Sequence, residues 1–471
     1  VDEERRSAPL WICASTAVSA VYAFFVLVLP AWGLTFLGDD FQILARCEEG
    51  RPRGWFVPFN QHWMPLGIGF LDLQHLVFGN HYQLHVATTW AIHSANVFLL
   101  GLLLGARARD DRAGALAALA FGVVTAWRDH FWWAGGQFAF HCFFWLVLAL
   151  LALERDLEFG GWRRFAAVAL ALATFAWSAG LTCGPVVALE AFVLARPRRM
   201  RTAATLLAVW GGYVILYLVF AAGNVPSTLP RTREQLGESA IFLAQAIGLG
   251  FLRQVPALDD VAPTPLAAAS LALLYAALVA FLAWAVDARA RARLVLAHVL
   301  LAAYLVPVAL TRWSHVRSQH PSAMGSQYQY IGALAWTTAL ALALAPLLRR
   351  RPYPTALLVL VLVGFLGERN ARAARHDATT FSPTTRRFFH EPEIVAALVS
   401  AASVARAPIY DAPLPFYLGF GFTSAREAVL VAAPRTRVTW TKLKEDASVA
   451  PYRSDPTLRE AFPELVSERR D

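Results

Sequence analysis

The chain has 471 residues, 57% of them hydrophobic and only 16% charged, with a formal net charge of +9. Apolar residues gathered in runs of bilayer length exclude an ordinary soluble domain, and the basic excess, set in short clusters between those runs, points to membrane topology and away from nucleic acid. Four cysteines (Cys13, Cys47, Cys142 and Cys183) without close pairing or ligand spacing offer neither a disulfide framework nor a zinc site.

The first apolar run, residues 10–37, has no small-residue cleavage pattern followed by a soluble domain and reads as a retained first span. Ten further helical segments follow at 83–105, 113–127, 137–153, 165–178, 184–195, 203–222, 265–286, 294–311, 329–347 and 354–368. The expectation is thus an all-α polytopic membrane protein of about eleven helical segments. Segments 165–178 and 184–195 are short for full spans. With Gly180, Gly184 and Pro185 between or within them, they suggest a hairpin sunk in the bundle.

The clusters RARDDR, RPRRMR, DARARAR and RRRPYP, with the mixed ERDLEFGGWRR, fall between alternate pairs of segments. The positive-inside rule then places the N-terminus inside and the C-terminus outside, with residues 38–82, 128–136, 223–264 and 312–328 on the outer face. After Glu368 the composition turns polar, so 1–368 reads as the membrane domain and 369–471 as a small soluble outer domain with one helical stretch and strand-like pieces such as APIYDA and RVTWTKL.

Chemistry is sought in the outer segments. Asp39 and Asp40 stand where the first span leaves the membrane, close to the low-dielectric layer, which suits a general base; the alternative is that they only mark the water boundary. The stretch that follows, with His62 and Trp63 in HWMP, reads as an interfacial helix, and is long for a connection between spans. His81 and His85 have the i, i+4 spacing of a metal pair without a nearby third ligand, and read as interfacial or core histidines. His93 and Asn96 lie inside the second span, where polar side chains bond to neighbouring helices.

The second outer segment, AWRDHFWWAGGQFAFH, brings Arg128, Asp129, Trp133 and Gln137 to the rim; its aromatics suit either a sugar floor or an interfacial belt. Residues 312–328 carry Arg312 and Arg317 on the outer side against the inside bias of the other cations, where they would neutralise a lipid phosphate or snorkel to headgroups.

The long first span, GDDF, HWMP, and a second span with His93 and Asn96 together resemble the bacterial GT-C glycosyltransferases, relatives of protein O-mannosyltransferases and lipid A aminoarabinose transferases. The resemblance is best over residues 30–200. It implies a GT-C-like bundle in a bacterial cytoplasmic membrane, a polyprenyl-phosphate-linked sugar donor, an envelope glycan, lipid or protein acceptor, and Asp39 or Asp40 as base. It names no cofactor and leaves a divalent cation possible. Binding roles fall on His62, Trp63, Arg128, Asp129, Trp133, Gln137, Arg312, Arg317 and Tyr328. Two departures stand out: many relatives have a Lys-Glu pair where this chain reads SAGLTCG, and Arg-Tyr where it has Gln327 and Tyr328. Alternative readings are a transporter or flippase of a lipid-linked saccharide, and a non-catalytic envelope-assembly subunit.

Overall fold

The computed structural model describes residues 2–31, 38–59, 62–79, 81–124, 131, 133–194, 199–221, 229–252, 264–311 and 326–380, with Glu445 standing alone beyond them. Among these residues the fold is all-α. The helices are α1 (Asp2–Ala23, continued by a π turn Phe24–Val28 and Leu29–Ala31), α2 (Gly38–Gly50), α3 (Pro65–Phe78), α4 (Tyr82–Ala108), α5 (Asp111–Gly122), α6 (Gln137–Glu158) and α7 (Arg163–Ala176). After them come α8 (Ala179–Leu194), α9 (Arg199–Phe220), α10 (Arg233–Leu252), α11 (Pro265–Ala285), α12 (Ala288–Thr311), α13 (Ser326–Arg350) and α14 (Pro352–Thr380).

Eight of these elements are long and apolar enough to cross a membrane: those of α1, α4, α6, α9, α11, α12, α13 and α14. At the expected segments 113–127, 165–178 and 184–195, the described residues hold the shorter helices α5, α7 and α8, of 12, 14 and 16 residues. Trp177 and Ser178 separate α7 from α8, which gives the short hairpin. Burial sorts the spans into layers: 78% of the α6 window is buried within the protein against 6% for α11, so α6 is central and α11 faces lipid.

Two elements differ from the sequence reading. The expected outer loop 223–264 contains α10, whose apolar run IFLAQAIGLGFL follows two turns that carry Arg233, Glu234 and Glu238; those charges hide it from a hydropathy window. Helix α14 continues to Thr380, past the polar turn at Glu368, because its later residues keep good helix formers such as Ala371 and Ala374. The expected outer domain beyond it, with its strand-like pieces, lies outside the described residues.

The helices are held by close approach and by buried donors, as expected where lipid removes the hydrophobic drive between them. A Cβ on Gly114 of α5 would meet the Gly105 nitrogen of α4 at 2.4 Å, so only glycine permits this crossing. Trp90 Nε1 donates to the Ala20 carbonyl (2.8 Å), and Tyr22 Oη to that of Gly367 (2.7 Å). His93 shares a 2.8 Å hydrogen bond with Tyr330 of α13, while Asn96 Nδ2 donates to Tyr330 Oη and to the Phe140 carbonyl, both at 3.0 Å. The interhelical role expected for His93 and Asn96 is the one they play.

At the opposite end from residues 38–79, Arg107 pairs with Glu190, Arg293 with Glu154, and Arg107 Nε lies 3.6 Å from Glu154 Oε1. All four side chains are at most 6% exposed. Arg107 and Arg293 belong to the basic clusters that set the expected topology; the structure buries both against carboxylates from α6 and α8. Removing such charges from water is tolerable only because each finds an opposite partner.

Candidate functional site at the outer rim

The end of the bundle carrying residues 38–79 and 133–137 is called the outer end here, following the expected orientation. The first outer segment folds as α2, a 3₁₀ turn at Arg53–Phe56, and α3. A latch of charges holds α2 to α3: Arg51 Nε donates to both oxygens of fully buried Asp72 (2.9 and 2.8 Å), Trp55 Nε1 donates to Asp72 Oδ2 (2.8 Å), and Glu48 pairs with Arg51 at 2.5 Å. A two-pronged contact fixes orientation as well as distance. Cys47 is sealed beside this latch, and burial, reinforced by the Asp72 carboxylate, pushes its thiol up to about 12.

Asp40 is fully buried. Its Oδ1 accepts from the Gly135 amide at 2.6 Å and its Oδ2 from the Ala134 amide at 3.3 Å, in the 3₁₀ turn that opens into α6. Unpaired amides and a helix dipole make such a turn a natural seat for a carboxylate. Asp40 therefore joins the two outer segments, serving as a pin between them. The Asp39 side chain lies outside the described residues.

The remaining expected site residues separate into two groups. At the rim, Trp133 is half-buried beside Gly135, whose Cβ position would lie 2.9 Å from the indole. Gln137 is fully buried; its Oε1 accepts from Gln74 Nε2 at 2.8 Å, and Gln74 Oε1 in turn meets His85 Nδ1 at 3.0 Å. This chain of side chains ties α3, α4 and α6 together. His85 is committed to it, His81 is exposed, and among the described residues no group of three His, Cys, Asp or Glu side chains is placed to hold a metal ion.

His62 Nδ1 lies 2.5 Å from Ser178 Oγ in the break between α7 and α8, and its ring faces Trp177 at 6.3 Å. This is where the chain has SAGLTCG. Trp63 is placed in the core and not at the rim: it is 1% exposed, packs among Phe175, Tyr213 and Phe220, and donates through Nε1 to the Phe56 carbonyl at 2.9 Å. Both rings belong to the stretch expected to form an interfacial helix, but their neighbours in space separate them. Arg128, Asp129, Arg312 and Arg317 lie outside the described residues, as does the side chain of Tyr328.

Sequence reasoning missed Ser178, Gln74 and the Arg51–Asp72–Trp55 latch. Asp72 did carry a signal, being a lone acid within the apolar run LGIGFLDLQHLVF, where an acid needs a partner.

No family model matches the chain, and no curated protein matches it. Among solved structures it is similar to the Archaeoglobus fulgidus oligosaccharyltransferase. In the complex with Zn and sulfate the TM-score is 0.49 at 14% identity, over 86% of this chain and 57% of that one. In the form tethered to an acceptor peptide containing the NVT sequon via a disulfide bond, it is 0.48 at 15% identity, over 87% and 59%. The chain thus spans less than three fifths of that protein's length. At these scores and identities the likeness assigns this chain neither an activity nor a substrate.

Proposed function

We propose that the chain is an inverting GT-C type glycosyltransferase of a bacterial cytoplasmic membrane, with its N-terminus inside and C-terminus outside. It moves a sugar from a polyprenyl-phosphate donor to an envelope glycan, lipid or protein. The observation that carries this reading is Asp40 buried where the two outer segments meet, with both oxygens held by backbone amides. A carboxylate so engaged is a positioning group, which leaves the neighbouring Asp39 as the base.

In this reaction the acceptor oxygen attacks the anomeric carbon, the carbon–oxygen bond to phosphate breaks, and the electron pair leaves with the phosphate. Asp39 takes the hydroxyl proton. A phosphate departs without protonation, so one base suffices, in contrast to the carboxyl pair of glycosidases. Arg312 and Arg317, with Arg128, supply charge for the phosphate, and Tyr328 accompanies them. Trp133, Asp129 and His62 bound the sugar, while Gln137 and Trp63 support them from the interior. Chelation followed by Mg²⁺ or Mn²⁺ in the same assay reads any requirement for a divalent cation.

The test is transfer from radiolabelled polyprenyl-phosphate sugars in proteoliposomes. Asp39→Asn is expected to lose at least about a hundredfold in rate with unchanged thermal stability. No transfer by the parent protein counts against the enzyme reading, and parental rates in Asp39→Asn remove the base from it.

A further inference from the structure

The transfer reaction leaves one feature of the bundle unused. An apolar groove of about 400 Å³ runs between α3, α4, α6 and α7, lined by residues including Leu66, Phe70, Ile92, Phe144 and Leu172. Leu73, Leu84 and Val168 are exposed, and each lies three or four residues from a lining residue on the same helix (Phe70, Thr88 and Leu172). The groove therefore opens onto the lipid-facing surface.

Two polar side chains, His141 and Thr88, interrupt the apolar lining. His141 lies one turn into α6 from its outer start at Gln137. Its Nε2 is shut off from solvent with no hydrogen-bond partner, and neither ring nitrogen makes a hydrogen bond among the described residues. The Phe70 ring meets the imidazole edge-on at 4.1 Å. With Nε2 sealed, Nδ1 is the nitrogen left to a ligand. The one hydroxyl among the described lining residues, that of Thr88, is already spent on the Leu84 carbonyl at 2.9 Å, which leaves the imidazole as the polar group open to a ligand.

An imidazole left without a partner in an apolar wall is costly, so its presence favours a ligand that brings an acceptor to that depth. No Arg or Lys is among the described lining residues, so a phosphate placed there would have no counter-charge. An ester carbonyl needs only one N–H donor, carries its own alkyl chain, and sits just beneath the headgroups. We propose that the groove binds a glycerophospholipid of the bilayer, one acyl chain filling it and the ester carbonyl accepting a hydrogen bond from His141. Since α3 belongs to the first outer segment, the bound lipid wedges that segment against the bundle.

The experiment follows lipid retained by the purified full chain in native mass spectrometry, using ester-linked phosphatidylglycerol and its dialkyl ether analogue, which lacks the carbonyl. The parent is expected to hold the ester lipid about fivefold more tightly than the ether lipid, the scale of one hydrogen bond. His141→Phe should erase that difference, and Ala91→Trp, at an exposed position on the groove wall, should lower retention of both lipids. Equal retention of ester and ether lipid by the parent overturns the proposal, as does an ester preference that survives in His141→Phe. Displacement by equimolar polyprenyl phosphate overturns it too, by giving the groove to a donor chain.

Discussion

The Asp40 carboxylate reaches across 95 residues of sequence to the Gly135 amide at 2.6 Å, and this contact is the hinge pin between the first outer segment and the start of α6. Replacing Asp40 by Ala leaves two buried amides without their acceptor, which costs about 1–3 kcal/mol. The expected outcome is a lower midpoint in thermal unfolding in detergent together with reduced transfer, whereas Asp39→Asn changes transfer alone. A stability loss in Asp39→Asn equal to that in Asp40→Ala would merge the two roles and remove the distinction.

The His62–Ser178 contact joins the outer segment to the α7–α8 break at 2.5 Å. If it works as a unit, His62→Ala and Ser178→Ala each lower stability and the double variant adds little more. A double-mutant cycle should return a coupling of about 0.5–3 kcal/mol, while strict additivity would show two independent residues.

At the other end of the bundle, Glu190→Gln removes one of two buried carboxylates and leaves Arg107 and Arg293 to share Glu154, so the cluster carries an excess buried positive charge. A loss of about 3–5 kcal/mol is expected. Replacing Arg107 and Glu190 together by Met and Leu should recover most of it. Unfolding midpoints and yield of folded protein measure both, and a double variant as unstable as the single one would argue that packing, not charge pairing, is at stake.

Cys47 supplies a prediction about pH. Burial pushes its thiol up to about 12, so the reactive thiolate is scarce at pH 8 and native protein should resist maleimide. Reactivity should rise only as the pH approaches the thiol's raised value, or once the protein is denatured. Labelling native Cys47 therefore does not report topology. Arg53→Cys, at an exposed position of the same segment, does: an impermeant maleimide added to intact cells should reach it if the segment lies outside. Protection in intact cells with labelling after permeabilisation would invert the orientation.

The parts of the fold read correctly in advance are those where a single physical rule acts on local sequence. Residues 265–285 make a span whatever surrounds them, because an uncharged 21-residue run can satisfy its backbone in lipid only as a helix. Helix α10 escaped because its charges defeat a rule based on mean hydropathy, although it packs with α11, and Gln329 donates to its Ala246 carbonyl at 3.0 Å. Of the site, the acidic pair and Gln137 were visible as polar residues in apolar or boundary settings. Their partners were not, since hydrogen bonds join residues 63 to 116 positions apart, as in Gln74–Gln137 and His62–Ser178.

The sequence alone determined a polytopic helical chain with its candidate chemistry in the first two outer segments, because hydropathy, charge clustering and span length depend on composition along the chain. Only the tertiary structure decided that Asp40 is a pin, that Trp63 belongs to the core while His62 meets Ser178, and that Arg107 and Arg293 are buried partners of acids. Those outcomes depend on which helices lie side by side, and burial and pairing are properties of neighbours in space.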